Sequence, residues 1–226
     1  MVIPVLLKDK PYNIHIEQGG LHRAEACLKL DRRVLVVTDD GVPAAYAAAV
    51  ADACKQAQVV TLPAGEKSKS FAGYQQLLRA MLAADMGRGD CVVAVGGGVV
   101  GDLAGFAAAT YMRGITFYNV PTTLLSQVDS SIGGKTAIDM DGVKNIVGAF
   151  YQPEAVLIDP DVLTTLPQRQ ISAGLAESVK MAMTCDAALL SFLERCGDLT
   201  AALPEIIARS LAIKKKIVEE DPQEKG

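Results

Sequence analysis

An α/β fold is predicted for this chain: a mostly parallel sheet with flanking helices over residues 1–160, then the start of an all-helical region over 161–226. Short apolar runs without in/out alternation recur between helical stretches, the pattern of parallel strands covered on both faces. One of these runs breaks into a glycine-rich turn that reopens as a helix, as at a phosphate-binding strand end. After about Asp161, periodic helical segments follow one another with no strand between them.

In order along the chain, residues 2–7 and 12–16 read as short strands around Asp9-Lys10-Pro11, an opening hairpin. Residues 34–37 form an apolar strand ending in Thr38-Asp39-Asp40-Gly41, and an alanine-rich helix is expected over 43–56. The alternation repeats with strand 59–62, helix 70–84, strand 91–95, helix 99–110 and strand 115–120. Strand 155–158 closes this part, and helices are expected over 171–184, 187–196 and 203–220.

Half of the 226 residues are hydrophobic and 21% are charged, which argues against disorder. A formal net charge of -4 supplies no long-range attraction to nucleic acid or an anionic membrane, so a bound anion must be held by a local cluster of cations. No stretch approaches the roughly 20 apolar residues needed to span a bilayer. The first residues lack a basic region with a cleavage site, so the chain reads as cytoplasmic, with no nucleic-acid or membrane partner. Cys27, Cys54, Cys91, Cys185 and Cys196 are odd in number and scattered, and read as reduced structural thiols.

The chemistry concentrates between Cys91 and Asn145. Gly96, Gly97, Gly98, Val99, Val100, Gly101 and Asp102 follow an apolar strand and match the letters of a dinucleotide turn. The turn follows the third strand–helix step, not the first, and Pro121 stands where a ribose-binding acid is expected; a tight turn chosen for packing is the alternative. Asp102 suits a ribose or nicotinamide-side contact, or merely the helix N-terminus. Asp39, Glu66 and Lys69 occupy loops after strands, where loop polarity accounts for them equally well. Thr122 and Thr123 end another strand, and both helix capping and nucleotide contact suit them.

A second turn, Asp129-Ser130-Ser131-Ile132-Gly133-Gly134-Lys135, holds a carboxylate and an ammonium six positions apart. Its glycines spend conformational entropy beside a cation, and Lys144 and Asn145 add a cation and an amide about one loop later. Together these groups suit a polyol phosphate. Glu177 and Lys180 share a helix face, as a surface ion pair or, in an apolar flank, as groups for metal ligation or catalysis. His15 and His22 read as structural or surface residues, and Lys214-Lys215-Lys216 as a solvated helix end.

Taken together, residues 96–106, Tyr-Met-Arg-Gly at 111–114, the block 121–139, Lys144-Asn145 and Gly-Leu-Ala-Glu-Ser-Val-Lys at 174–180 resemble the 3-dehydroquinate synthase family, colinearly from about Val34 onward. The resemblance implies conversion of 3-deoxy-D-arabino-heptulosonate 7-phosphate to 3-dehydroquinate and phosphate, a carbon–oxygen lyase step of the shikimate route to aromatic amino acids. It implies NAD used catalytically and a divalent metal, zinc or cobalt. Residues 1–160 would be the NAD-binding domain, and 161–226 an incomplete helical substrate- and metal-binding domain.

Residue by residue, Gly96 to Asp102 would cradle the pyrophosphate and nicotinamide end, while Asp39, Glu66, Lys69, Thr122 and Thr123 would hold the adenosine and ribose side. Asp129, Lys135 and Lys144 would serve both coenzyme and substrate, and Asn145, Lys180 and Lys214 would grip the sugar phosphate. Arg113 would reach a phosphate across a homodimer interface, and Glu177 would be one of three metal ligands. The family's other two ligands are histidines beyond an Asp-x-x-Glu-x-Gly segment, which 221–226 resembles. A catalytic zinc site needs about three protein ligands, so the 226-residue polypeptide alone is expected not to complete the reaction. Apolar helix faces after Ile171 are expected to be uncovered. A related sugar-phosphate cyclase, a metal-dependent polyol dehydrogenase and a non-catalytic nucleotide-binding subunit are the competing readings.

Overall fold

The computed structural model describes residues 1–225. Nine strands and six longer helices follow in order along these residues. They are β1 (Val2–Val5), β2 (Tyr12–Ile16), β3 (Arg33–Asp39), α1 (Ala44–Asp52), β4 (Gln56–Leu62), α2 (Phe71–Ala83), β5 (Cys91–Gly96), α3 (Gly98–Thr110), β6 (Thr116–Pro121), β7 (Lys135–Met140), β8 (Val143–Phe150), β9 (Ala155–Ile158), α4 (Gln168–Cys185), α5 (Ala187–Arg195) and α6 (Leu199–Glu220).

Seven strands form one sheet in the order β1-β2-β9-β6-β5-β3-β4, and every neighbouring pair except β1–β2 is parallel. Every residue of β5 is buried, because helices cover both faces of a parallel sheet. From β3 the chain steps outward to β4, then returns to place β5 on the other side of β3. The strand order reverses there, so the carboxyl ends of β3 and β5 open the crevice where such sheets bind ligands. This explains why the glycine turn lies in the third strand–helix step: β5, not β3, sits at the inner side of the reversal.

One face is filled by Leu77 and Met81 of α2 with Leu103 and Ala107 of α3, and the other by Ala47 and Val50 of α1 with Leu21 and Leu28. A third cluster joins Val5, Tyr12 and Ile14 of the opening hairpin to Ile207, Leu211 and Val218 of α6. No helix among the described residues is long and apolar enough to cross a membrane.

The largest difference from the sequence reading is a second, two-stranded sheet, β7 paired antiparallel with β8. It turns this stretch, read from the sequence as glycine turn and loop, into a ribbon. Residues 141–142 close it with both φ angles positive, 51° and 82°. Asp-Gly is the pair that such a two-residue hairpin turn favours. The second glycine turn therefore leads into a strand, in contrast to the first, which opens a helix. Helix α6 also begins four residues before the expected start: the Asp198 side chain accepts the Ala201 N–H at 3.1 Å and caps it. Strand β1 is two residues shorter than expected, ending at Val5.

Candidate functional site

The Gly97 backbone begins α3 with no side-chain cap, so the first N–H groups of a 13-residue helix open at the carboxyl edge of the sheet. A Cβ on Gly97 would sit 3.1 Å from the Thr123 side chain, and one on Gly98 would sit 3.1 Å from Ser130 Oγ. Both positions keep the helix end bare for a third party. The buried Ser130 hydroxyl beside it has no hydrogen-bond partner. An unpaired buried hydroxyl facing an uncapped helix end fits a bound phosphate or amide.

Behind this turn lies an ionic network that sequence spacing did not reveal. Lys69 is only 4% exposed, and its Nζ lies 2.5 Å from Asp102 Oδ2. Glu66 Oε1 stands 4.0 Å from the same ammonium and 3.3 Å from Lys144 Nζ. Burial pushes the Asp102 carboxyl above its usual range, although the Lys69 hydrogen bond works against it. The Lys69 carbonyl accepts the Asp139 N–H at 2.9 Å, and the Asp139 carboxylate accepts the Asn145 N–H at 2.9 Å. The ribbon is thereby fastened to the loop carrying Glu66 and Lys69.

A cavity of about 450 Å³ is lined by Asp102, Asp129, Ser130, Lys135, Asn145 and Lys214, among others. Asp129 and Ser130 are set by a wide turn, in which Ser131 N–H donates to Ser126 O at 3.2 Å. Such five-residue turns occur often at functional sites. Gln127, which the sequence reading passed over, anchors that turn: its fully buried Nε2 donates to Pro121 O at 3.1 Å and to Asp159 O at 3.0 Å. Lys214 Nζ lies 2.7 Å from Asp129 Oδ1, and Lys135 pairs with Glu224. Ile146 and Phe150 supply apolar wall, also unanticipated because the ribbon itself was not.

Helix α4 comes so close to the residues after β6 that a Cβ on Gly174 would sit 2.6 Å from Leu124 Cβ. That approach brings up Glu177, whose side chain is 17% exposed and paired with Lys180. The Glu177 hydrogen bond holds Lys180 above the ordinary lysine range, and the Asp129 charge adds to it. Among the described residues no three His, Cys, Asp or Glu side chains converge as a metal site.

Other candidates lie apart from the cavity lining. Asp39 ends β3, bonds the Gly41 N–H at 2.9 Å, and is shifted upward by burial. Thr122 is buried at the end of β6, its N–H on Gly96 O at 2.9 Å. Thr123 Oγ1 and Ser126 Oγ bond each other at 2.9 Å, so this hydroxyl does serve the following turn. Arg113 is exposed in a left-handed conformation (φ 69°), with no hydrogen bond or ion pair among the described residues. On the helices, Val179 is 36% exposed, Met183 70% and Ile217 43%.

Residues 59–173 match the family model described as 3-dehydroquinate synthase N-terminal, and residues 174–226 the one described as 3-dehydroquinate synthase C-terminal. The chain is 47% identical to the 3-dehydroquinate synthase of Latilactobacillus sakei subsp. sakei (strain 23K), over 99% of this chain and 66% of that protein. It is 46% identical to that of Caulobacter vibrioides (strain NA1000 / CB15N), over 99% and 64%. Among solved structures, 2-deoxy-scyllo-inosose synthase complexed with carbaglucose-6-phosphate, NAD+ and Co2+ superposes with a TM-score of 0.90 at 28% identity, over 100% of this chain and 65% of that one. ValA (2-epi-5-epi-valiolone synthase) from Streptomyces hygroscopicus subsp. jinggangensis 5008, with NAD+ and Zn2+ bound, gives 0.89 at 29% identity, over 97% and 64%. The chain thus spans 64–66% of the length of these curated relatives.

Proposed function

The chain belongs to the 3-dehydroquinate synthase family, and on that premise we propose that its residues form the coenzyme-binding and anion-gripping part of an enzyme converting 3-deoxy-D-arabino-heptulosonate 7-phosphate to 3-dehydroquinate and phosphate. The observation that carries this reading is the shared cavity: Asp102, from the glycine turn, lines it together with Asp129, Lys135 and Lys214. Greater sequence identity to 3-dehydroquinate synthases than to the cyclases of other sugar phosphates favours this substrate over theirs.

NAD fits the uncapped α3 end, the bare glycines and the unpaired Ser130 hydroxyl. Gly96, Gly97, Gly98, Val99, Val100 and Gly101 hold its pyrophosphate, with Asp39, Glu66, Lys69, Thr122 and Thr123 on the adenosine and ribose side. When bound, the nicotinamide supplies a hydride acceptor that returns the hydride later, so turnover carries no net oxidation. Lys135, Lys214, Lys180 and Lys144 offset the substrate's anionic charge, and Asn145 offers both a donor and an acceptor. Asp129, held by Lys214, orients a substrate hydroxyl. The departing phosphate itself takes a proton, which leaves positioning as the protein's main task. In this reading residues 1–160 act as the NAD domain and 161–226 as helical substrate-binding structure. The protein works as a cytoplasmic homodimer, with Arg113 reaching a phosphate in the partner's site.

Glu177 is proposed as one ligand of a zinc or cobalt ion. One carboxylate does not hold zinc tightly, since catalytic sites use about three protein ligands. The test is phosphate release from the heptulosonate phosphate with NAD+ and zinc. The 226-residue polypeptide is compared with a version lengthened to carry the family's two histidines. The longer version is expected to release phosphate with no net NADH, and the shorter none above background. Equal activity of the two overturns the metal argument, and steady NADH accumulation overturns the cyclase in favour of a dehydrogenase.

A further inference from the structure

Lys135 hangs on a turn whose two glycines have φ angles of 106° and 67°. Backbone of this kind has the most freedom to lose, so a fixed Lys135 requires outside restraint. Pairing of Lys135 with Phe150 in the β7–β8 ladder holds its far side, and the restraint on the turn itself comes from the opening hairpin, far away in sequence and outside the segments that match the family models. Tyr12 is 4% exposed, and its hydroxyl accepts the Gly133 N–H at 3.4 Å. Lys10 Nζ donates to Gln152 O at 2.8 Å and stands 5.0 Å from the Tyr151 ring centroid. The segment so held closes on the same turn: Tyr151 N–H donates to Gly134 O at 2.6 Å, and the Gln152 side chain would lie 2.7 Å from a Cβ on Gly134.

The hairpin also reaches the opposite wall. Leu6 N–H donates to Glu219 Oε1 at 2.6 Å, and Glu219 bonds Lys215 at 2.9 Å, next to the Lys214 that meets Asp129. Val218, on the same helix, lies 3.1 Å from where a Gly133 Cβ would be. We propose that the β1–β2 hairpin is a positioning element for the anion-facing half of the cavity, with Tyr12 and Lys10 as positioning residues that fix Lys135 through Gly133 and Gly134. Neither side chain lines the cavity. Their effect on substrate rests on the functional reading above, whereas their effect on the turn does not.

The experiment uses Tyr12→Phe and Lys10→Met, with Lys10→Arg as the conservative control. Tyr12→Phe loses the bond to Gly133 itself, and Lys10→Met loses the bond to Gln152, which packs against Gly134, so amide exchange at Gly133 and Gly134 is expected to rise about five- to tenfold in these two variants. Exchange in the β2–β9 ladder should stay within twofold, and Lys10→Arg should behave as the unsubstituted protein. In turnover by the version lengthened to carry the family's two histidines, KM for the heptulosonate phosphate should rise by a similar factor while kcat changes less than twofold. Unchanged exchange at the turn overturns the proposal, and so does an equal rise throughout β2. Absence of turnover in the lengthened, unsubstituted version would count against the proposed reaction only, since the exchange pattern still decides whether the hairpin holds the turn.

Discussion

Gly98→Val is expected to weaken NAD+ binding at least about 100-fold, close to 3 kcal/mol, while the sheet and helices remain folded. The new Cβ would lie 3.1 Å from Ser130 Oγ and 3.6 Å from Ser130 Cβ, and its methyls would occupy the space between the α3 N-terminus and that hydroxyl. A phosphate needs that space in order to reach backbone N–H groups directly. Valine at the first position of a helix costs little by itself, so the loss should fall on binding. Gly89→Val is the control, because nothing lies within 4 Å of a Cβ there. Calorimetric titration with NAD+ reads both variants, and a change in Kd of less than threefold for Gly98→Val would show that the helix end is not the coenzyme site.

The second large effect concerns the buried pair behind the turn. Lys69→Met leaves Asp102 with a 20% exposed side chain and no ammonium beside it, while Glu66 and Asp139 still oppose its charge. Removing one partner of such a pair costs about 3 kcal/mol. Burial already sets the folded-state pKa of Asp102 above its ordinary value, and loss of Lys69 raises it further. The folded variant therefore binds a proton that the unfolded chain releases, so stability falls as pH rises through the folded-state value. Below the ordinary carboxylate pKa, near 4, Asp102 is protonated in both states and this penalty vanishes. Urea unfolding should show the deficit of Lys69→Met to be largest near pH 8 and to shrink toward pH 4.5. Adding Asp102→Asn should recover most of it at pH 8. A deficit independent of pH would mean that lost packing of the lysine stem, and not the stranded carboxylate, sets the cost.

The parallel sheet was legible because β3 and β5 are continuous apolar runs, which only strands covered on both faces can afford. Gly96 to Asp102 was legible for a related reason: glycines between a buried strand and a helix have few other uses. The β7–β8 ribbon was not, because β8 is largely exposed in spite of Val143, Ile146, Val147 and Phe150, so its apolar residues carry no burial pattern. Its Asp141-Gly142 turn was the one local clue. Lys69 shows a different limit. Its loop reads as solvated, and its burial depends on Asp102, 33 positions away, which only the packing of α3 beside the β4 loop brings within reach. Tyr12 and Gln127 were illegible in the same way, since each acts through backbone groups that leave no mark on the side-chain pattern.

The central claim is spatial, that the glycine turn presents a redox coenzyme to the cavity of Asp129 and Lys135. A crystal structure of the chain grown with NAD+ tests it most directly. The pyrophosphate is expected on the N–H groups that open α3, with the nicotinamide ring directed past Asp102 toward Asp129, Lys135 and Glu177. A coenzyme bound elsewhere, or with its ring turned away from those three side chains, would contradict it.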